Sequence, residues 1–143
     1  MIIRLPTVDD ALVIAQLSGE LGYPTNAEVM AKRLSGLLLR DDHHLRVAEI
    51  DGHIAGWIQT HVSASLESGC RAEIVGLVVA ARFRRNGVGR ALLNDAIKWS
   101  TVRGVDALVV RSNVVREESH QFYPSMGFTS TKTQVAYQRQ LEG

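Results

Sequence analysis

Residues 72–90 read AEIVGLVVAARFRRNGVGR and contain two different patterns in succession. Ala72 to Ala80 is a β-branched, nearly continuous apolar run, which is typical of a central strand covered on both faces. Gly76 interrupts this run and indicates either a bulge or a close approach of another group to the backbone. From Gly87 the apolar residues recur at helical spacing as far as Gly104. A buried strand followed at once by a helix predicts a mixed α/β fold.

The residues before this stretch predict a strand, two helices and a hairpin. Ile2 to Leu5 reads as a short strand, and Thr7 or Asp9 is a suitable cap for the first helix. Asn26 is a suitable cap for the second helix. The pair Asp51-Gly52 separates two apolar runs and is a strong hairpin signal. The strands of this hairpin are expected at residues 45–50 and 54–62.

The residues after it predict a further strand, a helix and a closing strand. Residues 107–111 form the predicted strand, and residues 116–126 form a fourth helix that contains Pro124 and stops at Gly127. Thr131 to Gln138 alternates between polar and apolar residues, as a strand does. Because no linker and no repeat interrupts the chain, residues 1–143 are expected to form a single domain.

Composition limits the possible functions. The 143 residues carry a formal net charge of +1, which gives no overall attraction to nucleic acid or to a membrane surface. Cys70 is the only cysteine, so an intrachain disulfide and a thiolate metal cage are excluded. The first residues carry no signal-peptide pattern, and no apolar run approaches the roughly 20 residues that span a bilayer. A cytoplasmic protein without nucleic-acid or membrane partners is therefore expected.

The segment from Arg84 to Arg90 is a candidate anion site. It lies between the predicted central strand and the following helix, where backbone N–H groups and the helix dipole favour a phosphate. Its three arginines add positive charge, although a glycine-rich turn with solvated arginines would look the same. The segment lacks the third glycine of a dinucleotide fingerprint and the Gly-Lys-Ser/Thr of a P-loop. The ligand is therefore expected to be a different phosphate compound.

These residues resemble the GNAT superfamily of N-acetyltransferases. The acyl-CoA signature of that family is Gln or Arg, two residues, Gly, one residue, Gly or Ala, and residues 84–89 (RRNGVG) satisfy it. Residues 122–128 (FYPSMGF) are similar to the family's second motif, Phe-Tyr, three residues, Gly-Phe. The order of predicted elements also follows the family from Ile2 to Gln138.

The resemblance implies a fold, a cosubstrate and its binding residues. The fold would be a twisted mixed sheet of about seven strands flanked by four helices, in which two central parallel strands splay apart around acetyl-CoA. The backbone of the central strand would bind the pantetheine arm, the glycine loop would bind the pyrophosphate, and Asn113 would contact the cofactor unless it serves only as a helix cap. The cofactor-binding residues are thus expected to be Leu77, Val78, Val79, Arg84, Arg85, Asn86, Gly87, Val88, Gly89, Arg90 and Asn113.

The resemblance also implies catalytic roles. Tyr123 would protonate the departing thiolate, provided that it lies within hydrogen-bonding reach, or else it is an aromatic packing residue. Glu73, at the start of the central strand, or His61, on the strand before it, would accept the proton of the amine. Both could instead be ordinary strand residues. Cys70 has no evident partner, so direct transfer in a ternary complex is expected rather than a covalent acyl-enzyme.

The sequence does not determine which amine accepts the acetyl group. Tyr23, Pro24 and Asn26 lie where the family shapes its acceptor pocket, but aminoglycosides, polyamines, amino acids and peptide amines are all compatible with the sequence. The histidines show no metal-site spacing with carboxylates or cysteine, so no metal is expected. The competing readings are a non-catalytic acyl-CoA sensor and an arginine-rich nucleic-acid binder. A homodimer formed through the C-terminal strand is also possible.

Overall fold

The computed structural model describes residues 1–111 and 117–142. The chain divides into two compact units, Met1–Arg111 and Ser112–Gly143. The first unit contains a sheet and three α-helices, and the second contains one α-helix. The predicted mixed α/β class is confirmed.

The first unit is built on a five-stranded sheet whose strands lie in chain order. The strands β1 to β4 pair antiparallel, and β5 pairs parallel to β4. The strands are β1 (Ile2–Arg4), β2 (His43–Ile50), β3 (His53–Ser65), β4 (Gly69–Val79) and β5 (Leu108–Val110). The helices are α1 (Ala11–Glu20), α2 (Ala27–Leu38) and α3 (Val88–Arg103), with short 3-10 turns at Val8–Asp10 and Ala81–Phe83.

The hairpin predicted at Asp51-Gly52 joins β2 to β3. Both turn residues have positive φ, 49° and 78°, which is the geometry of a type I′ turn. The pairing register shifts once in each of the two long hairpins, at Ala55 on β3 and at Val75 on β4. Each shift is a β-bulge, which re-aims the residues that follow it.

The helix starts are fixed by different groups. The Asn26 side chain accepts a hydrogen bond from the Val29 N–H at 2.8 Å and caps α2 as predicted. Before α1, the carboxylate of Asp10 accepts the Thr7 N–H at 2.7 Å and two bonds from the Arg4 guanidinium, at 2.9 and 3.0 Å. Thr7 is thus the N-cap residue of the short 3-10 turn before α1, and it is one of the two predicted caps. The side chain that accepts the hydrogen bond there is that of Asp10 and not that of Thr7.

Helix α3 packs closely on one face of the sheet. A Cβ at Gly56 would lie 2.6 Å from the Val78 carbonyl oxygen and 3.1 Å from Val88, so only glycine fits there. Under the same helix, the fully buried His44 contacts the Asp95 carboxylate through Nε2 at 2.7 Å and the Thr60 hydroxyl through Nδ1 at 3.3 Å. Burial lowers the pKa of His44, so the imidazole is neutral, with Nε2–H donating to Asp95 and Nδ1 accepting from Thr60.

The described contact between the two parallel strands is short. Among the described residues, three pairs join β4 to β5, and the last is Ile74 opposite Val110. From Val75 to Val79, β4 has no strand partner other than β3 within the described parts of the chain, and this stretch is here called the open edge of β4. Such an edge is what the predicted splay requires.

The second unit contains α4 (Glu117–Ser125) and ends that helix with a Schellman motif. The Phe128 N–H bonds to the Tyr123 carbonyl at 3.1 Å, and the Gly127 N–H bonds to the Pro124 carbonyl at 3.1 Å. Gly127 has a φ of 90° and stops the helix as predicted. Pro124 lies one residue before the end of α4, so it does not divide a longer helix.

The expected strand count was too high. The described residues form five strands rather than about seven, and Thr131 to Gln138 has no strand pairing. This segment offers only Val135 and Tyr137 as large apolar side chains, and both are exposed, at 74% and 93%. Two alternating apolar residues bury too little surface to fix a strand without a partner edge.

Candidate functional site

The bulge at Val75 places Gly76 against an aromatic ring of the neighbouring strand. A Cβ on Gly76 would lie 2.5 and 2.6 Å from two ring carbons of Trp57, so the indole occupies the space of the missing side chain. Both alternatives that the sequence suggested for Gly76 are therefore present, a bulge beside it and a close approach to its backbone. The indole Nε1–H of Trp57 is buried and has no hydrogen-bond partner within the described part of the chain.

A cavity of about 450 Å³ opens beside this contact. Its floor comes from the sheet and includes Trp57, Gln59 and Gly76, and its walls come from α1, α2 and the segment between them. Tyr23, which the sequence analysis assigned to the acceptor region, lines the cavity, whereas Pro24 and Asn26 do not. The apolar lining residues are Pro6, Ile14, Leu21, Met30, Leu34, Leu37, Leu45, Trp57, Ile58 and Val75.

A polar row crosses the sheet next to the cavity floor. His43 on β2, His61 on β3 and Glu73 on β4 are directly opposite one another, so they share one face of the sheet. The rings of His43 and His61 stack with centroids 5.3 Å apart, and His61 Nε2 lies 3.8 Å from the Glu73 carboxylate. The amide of Gln59, which lines the cavity, contacts His43 Nδ1 at 3.2 Å. The two predicted base candidates are therefore neighbours.

Charged groups flank both ends of this row. The guanidinium of Arg111 binds the Glu73 carboxylate, whose side chain is only 14% exposed. At the other end, Asp42 lies 4.0 Å from His43 Nε2 and is held by Arg40, which lowers the pKa of the Asp42 carboxyl. Burial lowers the pKa of His43, which favours a neutral ring beside His61. The row thus places two imidazoles between two carboxylates, each of which is bound by an arginine.

The arginine loop has the geometry of an anion site. Arg85 and Gly87 have positive φ values of 67° and 75°, and Val88 begins α3 directly after them. Within the described residues no side chain caps this helix, and an added Cβ on Gly87 would meet open space, so a ligand could reach the N–H groups of the first turn. The Asn86 amide donates to the carbonyls of Phe83 and Arg84, at 3.1 and 3.2 Å, and holds the loop in shape. These features fit a diphosphate.

The three predicted cofactor residues on the central strand β4 differ in burial. Val78 is buried and packs with Leu17 and Ala80, so its side chain belongs to the core. Leu77 and Val79 are half-buried in the part of β4 that has an open edge. Backbone groups at such an edge can pair with an extended ligand, as in strand addition. Asn113 lies outside the described residues.

Tyr123 lies in the last turn of α4, within an aromatic cluster of the second unit. Its ring meets Phe122 edge-on at 5.1 Å and Phe128 edge-on at 5.6 Å. The contact with Phe128 is the apolar contact that accompanies a Schellman motif. The ring of Tyr123 therefore packs as the alternative role predicts, and its catalytic role stays a prediction.

Three of these groups are not evident in the sequence. His43, Gln59 and Arg111 come from different strands or strand ends, and only the folded sheet brings them beside the His61–Glu73 pair. Within the described residues, no cluster of three or more His, Cys, Asp or Glu could hold a metal ion. No described helix is long and apolar enough to cross a bilayer.

A sequence profile of the Acetyltransferase (GNAT) family matches residues 13–128 of this chain. The chain belongs to the GNAT acetyltransferase family. This membership confirms the predicted family. The match covers β2 to β4, the arginine loop and α4, and so includes both motifs that carry the resemblance.

Individual members of the GNAT family are distant in sequence. The aminoglycoside N(6')-acetyltransferase type 1 of Stenotrophomonas maltophilia is 28% identical over 98% of this chain and 94% of its own length. Human N-acetylaspartate synthetase is 28% identical over 57% of this chain, but the match spans only 26% of that enzyme. The structure of AAC(6')-Iy with the bisubstrate analog CoA-S-monomethyl-acetylneamine superposes with a TM-score of 0.85, at 18% identity, over 98% of both chains. That superposition shows the shared fold.

Proposed function

We propose that this GNAT protein transfers the acetyl group of acetyl-CoA directly to a primary amine bound in the cavity beside Gly76. One observation carries the proposal: the cavity floor, the open edge of β4 and the His61–Glu73 pair are all formed by the two neighbouring strands β3 and β4. A thioester lying along the open edge would meet an amine in the cavity next to a group that can accept its proton.

The cofactor would be held by the backbone. The open edge of β4 from Val75 to Val79 supports strand-like pairing with the pantetheine arm. The accessible N–H groups at the start of α3 would bind the diphosphate, with Arg84, Arg85 and Arg90 adding positive charge around it. Donors that are fixed before the reaction also stabilise the oxyanion of the tetrahedral intermediate.

The His61–Glu73 pair would act as the base. An ammonium group cannot attack a thioester, so the acceptor must first lose a proton. Histidine is the side chain most often used as a general base, and His61 Nε2 lies 3.8 Å from the Glu73 carboxylate, so the two side chains can act together. The neutral amine then adds to the thioester carbonyl, and the C–S bond breaks as the intermediate collapses. Tyr123 would donate a proton to the CoA thiolate and regain one from the new amide nitrogen.

The first experiment is thermal unfolding with acetyl-CoA, with NADH and ATP as phosphate-bearing controls. At about 100 times its dissociation constant, a ligand of the native state adds roughly 2.7 kcal/mol, so a specific cofactor should raise the midpoint by several degrees. A rise with acetyl-CoA alone is expected. An equal rise with all three compounds would mean a general anion site, and no rise would contradict the proposal.

The second experiment separates catalysis from binding. Tyr123→Phe and His61→Gln should leave the thermal shift with acetyl-CoA unchanged while lowering kcat on the order of 100-fold, the usual size of a general acid–base contribution. His53→Gln is the matched control, because His53 is exposed at the other end of β3. If all three variants keep full turnover, water rather than these side chains carries the protons. A protein that binds acetyl-CoA but releases no thiol with any amine would be a sensor.

A further inference from the structure

The cavity walls indicate the chemistry of the acceptor, an inference that rests on the function proposed above. Most lining side chains are aliphatic or aromatic. Because these side chains offer few hydrogen-bonding partners, the part of the acceptor that fills the cavity must be largely apolar. A sugar rich in hydroxyl groups would leave many of its polar groups without partners there.

The charges of the lining argue in the same direction. None of the described residues that line the cavity is an aspartate or a glutamate, and Glu20, Glu28 and Glu67 all lie outside the lining. The lining includes two arginines, and Arg46 is already paired with Asp95 at 3.1 Å on the α3 side of the sheet. Arg33, exposed on α2, has no ion-pair partner in the described parts of the chain. A polycation would be repelled here, and an anionic group would be attracted.

We propose that the acceptor is a zwitterionic amine, a primary amine on an apolar body that also carries a carboxylate, and that Arg33 binds this carboxylate. Amino acids with large apolar side chains have this chemistry. In such an amino acid the amine and the carboxylate share one carbon, so the amine faces the His61–Glu73 pair, the carboxylate beside it lies toward Arg33 on α2, and the apolar side chain fills the cavity between α1 and α2. Arg33 is then a residue that determines specificity rather than one that takes part in the proton transfers.

The test measures thiol release from acetyl-CoA with four acceptors, L-phenylalanine, L-phenylalaninamide, phenethylamine and neamine. We expect kcat/KM for L-phenylalanine to exceed that for its amide by at least tenfold, and neamine to be a poor acceptor. The amine of the amide is the less basic one and is more often unprotonated at neutral pH. A preference for the acid would therefore arise from recognition of the carboxylate and not from the reactivity of the amine.

Two variants assign the recognition to Arg33. Arg33→Gln should raise KM for L-phenylalanine about tenfold with kcat within a factor of two, and should leave the amide unaffected. Lys32→Gln is the matched control, because Lys32 is the neighbouring exposed cation on α2 and does not line the cavity. The same dependence on the carboxylate in wild type and in Arg33→Gln would overturn the assignment.

The outcomes separate this inference from the proposed function. Turnover of neamine in preference to L-phenylalanine would overturn the zwitterionic acceptor and leave the acetyltransferase proposal intact. Binding of acetyl-CoA without turnover of L-phenylalanine, L-leucine or L-methionine would also overturn it. Absence of both acetyl-CoA binding and thiol release would refute the proposed function itself, and the inference with it.

Discussion

Gly76 has no room for a side chain because the Trp57 ring occupies that space. Gly76→Ala should lower the free energy of unfolding by about 1–3 kcal/mol, because the added methyl must displace either the ring or the bulged strand. Equilibrium unfolding in urea measures this loss. Displacement of the ring would also reshape the cavity floor, so acceptor KM should rise in the same variant.

Gly36→Ala is the control for that substitution. Gly36 lies within α2, and a Cβ there would meet nothing within 4 Å. Replacement of a helical glycine by alanine stabilises by roughly 0.5–1 kcal/mol, so this variant should unfold at higher urea concentration. Equal effects of the two substitutions would contradict the close contact at Gly76.

The carboxylate of Asp10 ties the start of α1 to β1. Hydrogen bonds from Arg4 hold the pKa of Asp10 below its ordinary value of 3.8. Because the folded-state pKa is the lower one, this stabilisation is present above pH 3.8 and is lost as the pH falls through the folded value. Asp10→Asn should therefore cost about 2 kcal/mol near pH 7 and less near pH 2, which lies below the ordinary pKa of 3.8. Urea unfolding at both pH values measures the difference, and an equal loss at both would contradict the ion pair.

At the scale of elements, α3 has a left-handed glycine at each end. Gly87 precedes it with φ 75°, and Gly104 follows it with φ 74°, and an added Cβ would meet nothing at either position. Gly87→Ala and Gly104→Ala should therefore cause similar strain, about 1–2 kcal/mol each. The thermal midpoints of the two variants should agree.

The two variants should differ in their affinity for acetyl-CoA. If the proposed phosphate site is correct, a methyl group on Gly87 would stand between the diphosphate and the first turn of α3, so the dissociation constant should rise on the order of tenfold, about 1.4 kcal/mol. Gly104→Ala should bind like the wild type, since it lies at the opposite end of the helix. Isothermal titration with acetyl-CoA makes the comparison, and equal affinities would argue against the arginine loop as the phosphate site.

The β-hairpins show how far local sequence patterns reach. The Asp51-Gly52 turn and the strands on either side of it follow from residue types, because positive φ at two successive residues is a local preference. The partner of His61 does not follow, since an unbulged two-residue hairpin would place His61 opposite Asp42. The bulge at Ala55 moves it opposite His43, and nothing in the residue pattern there announces a bulge. The sequence therefore did not predict the polar row beside the cavity, although it singled out two of its members, His61 and Glu73.

At the scale of the whole molecule, the sequence predicted the position of the glycine loop but not the composition of the cavity. The glycine loop depends on neighbouring residues, so its position between β4 and α3 could be predicted. The cavity gathers Ser18, Arg33 and Trp57 from distant parts of the chain, and only tertiary packing brings them together. The strand expected at Thr131 to Gln138 failed for the related reason that alternation alone does not supply a partner strand.

Stability of the sheet and α3 should depend on pH through His44. Burial lowers the pKa of His44 against the opposing effect of Asp95, and Arg46 is the other charged group at this contact. The imidazole is neutral in the folded protein, so its contribution is present above its ordinary pKa of 6.5 and declines as the pH falls below that value. The free energy of unfolding should therefore decrease from pH 7 to pH 5, with a smaller slope in His44→Gln. Equal slopes would contradict a buried neutral imidazole.

The two tryptophans report on different regions of the molecule. Trp57 lines the cavity, whereas Trp99 stacks under Arg103 and beside His44 on the far side of the sheet. In Trp99→Phe, all indole fluorescence would come from the cavity floor. Its emission should shift when an acceptor replaces water around Trp57, so acceptor binding could be titrated optically without acetyl-CoA and without turnover.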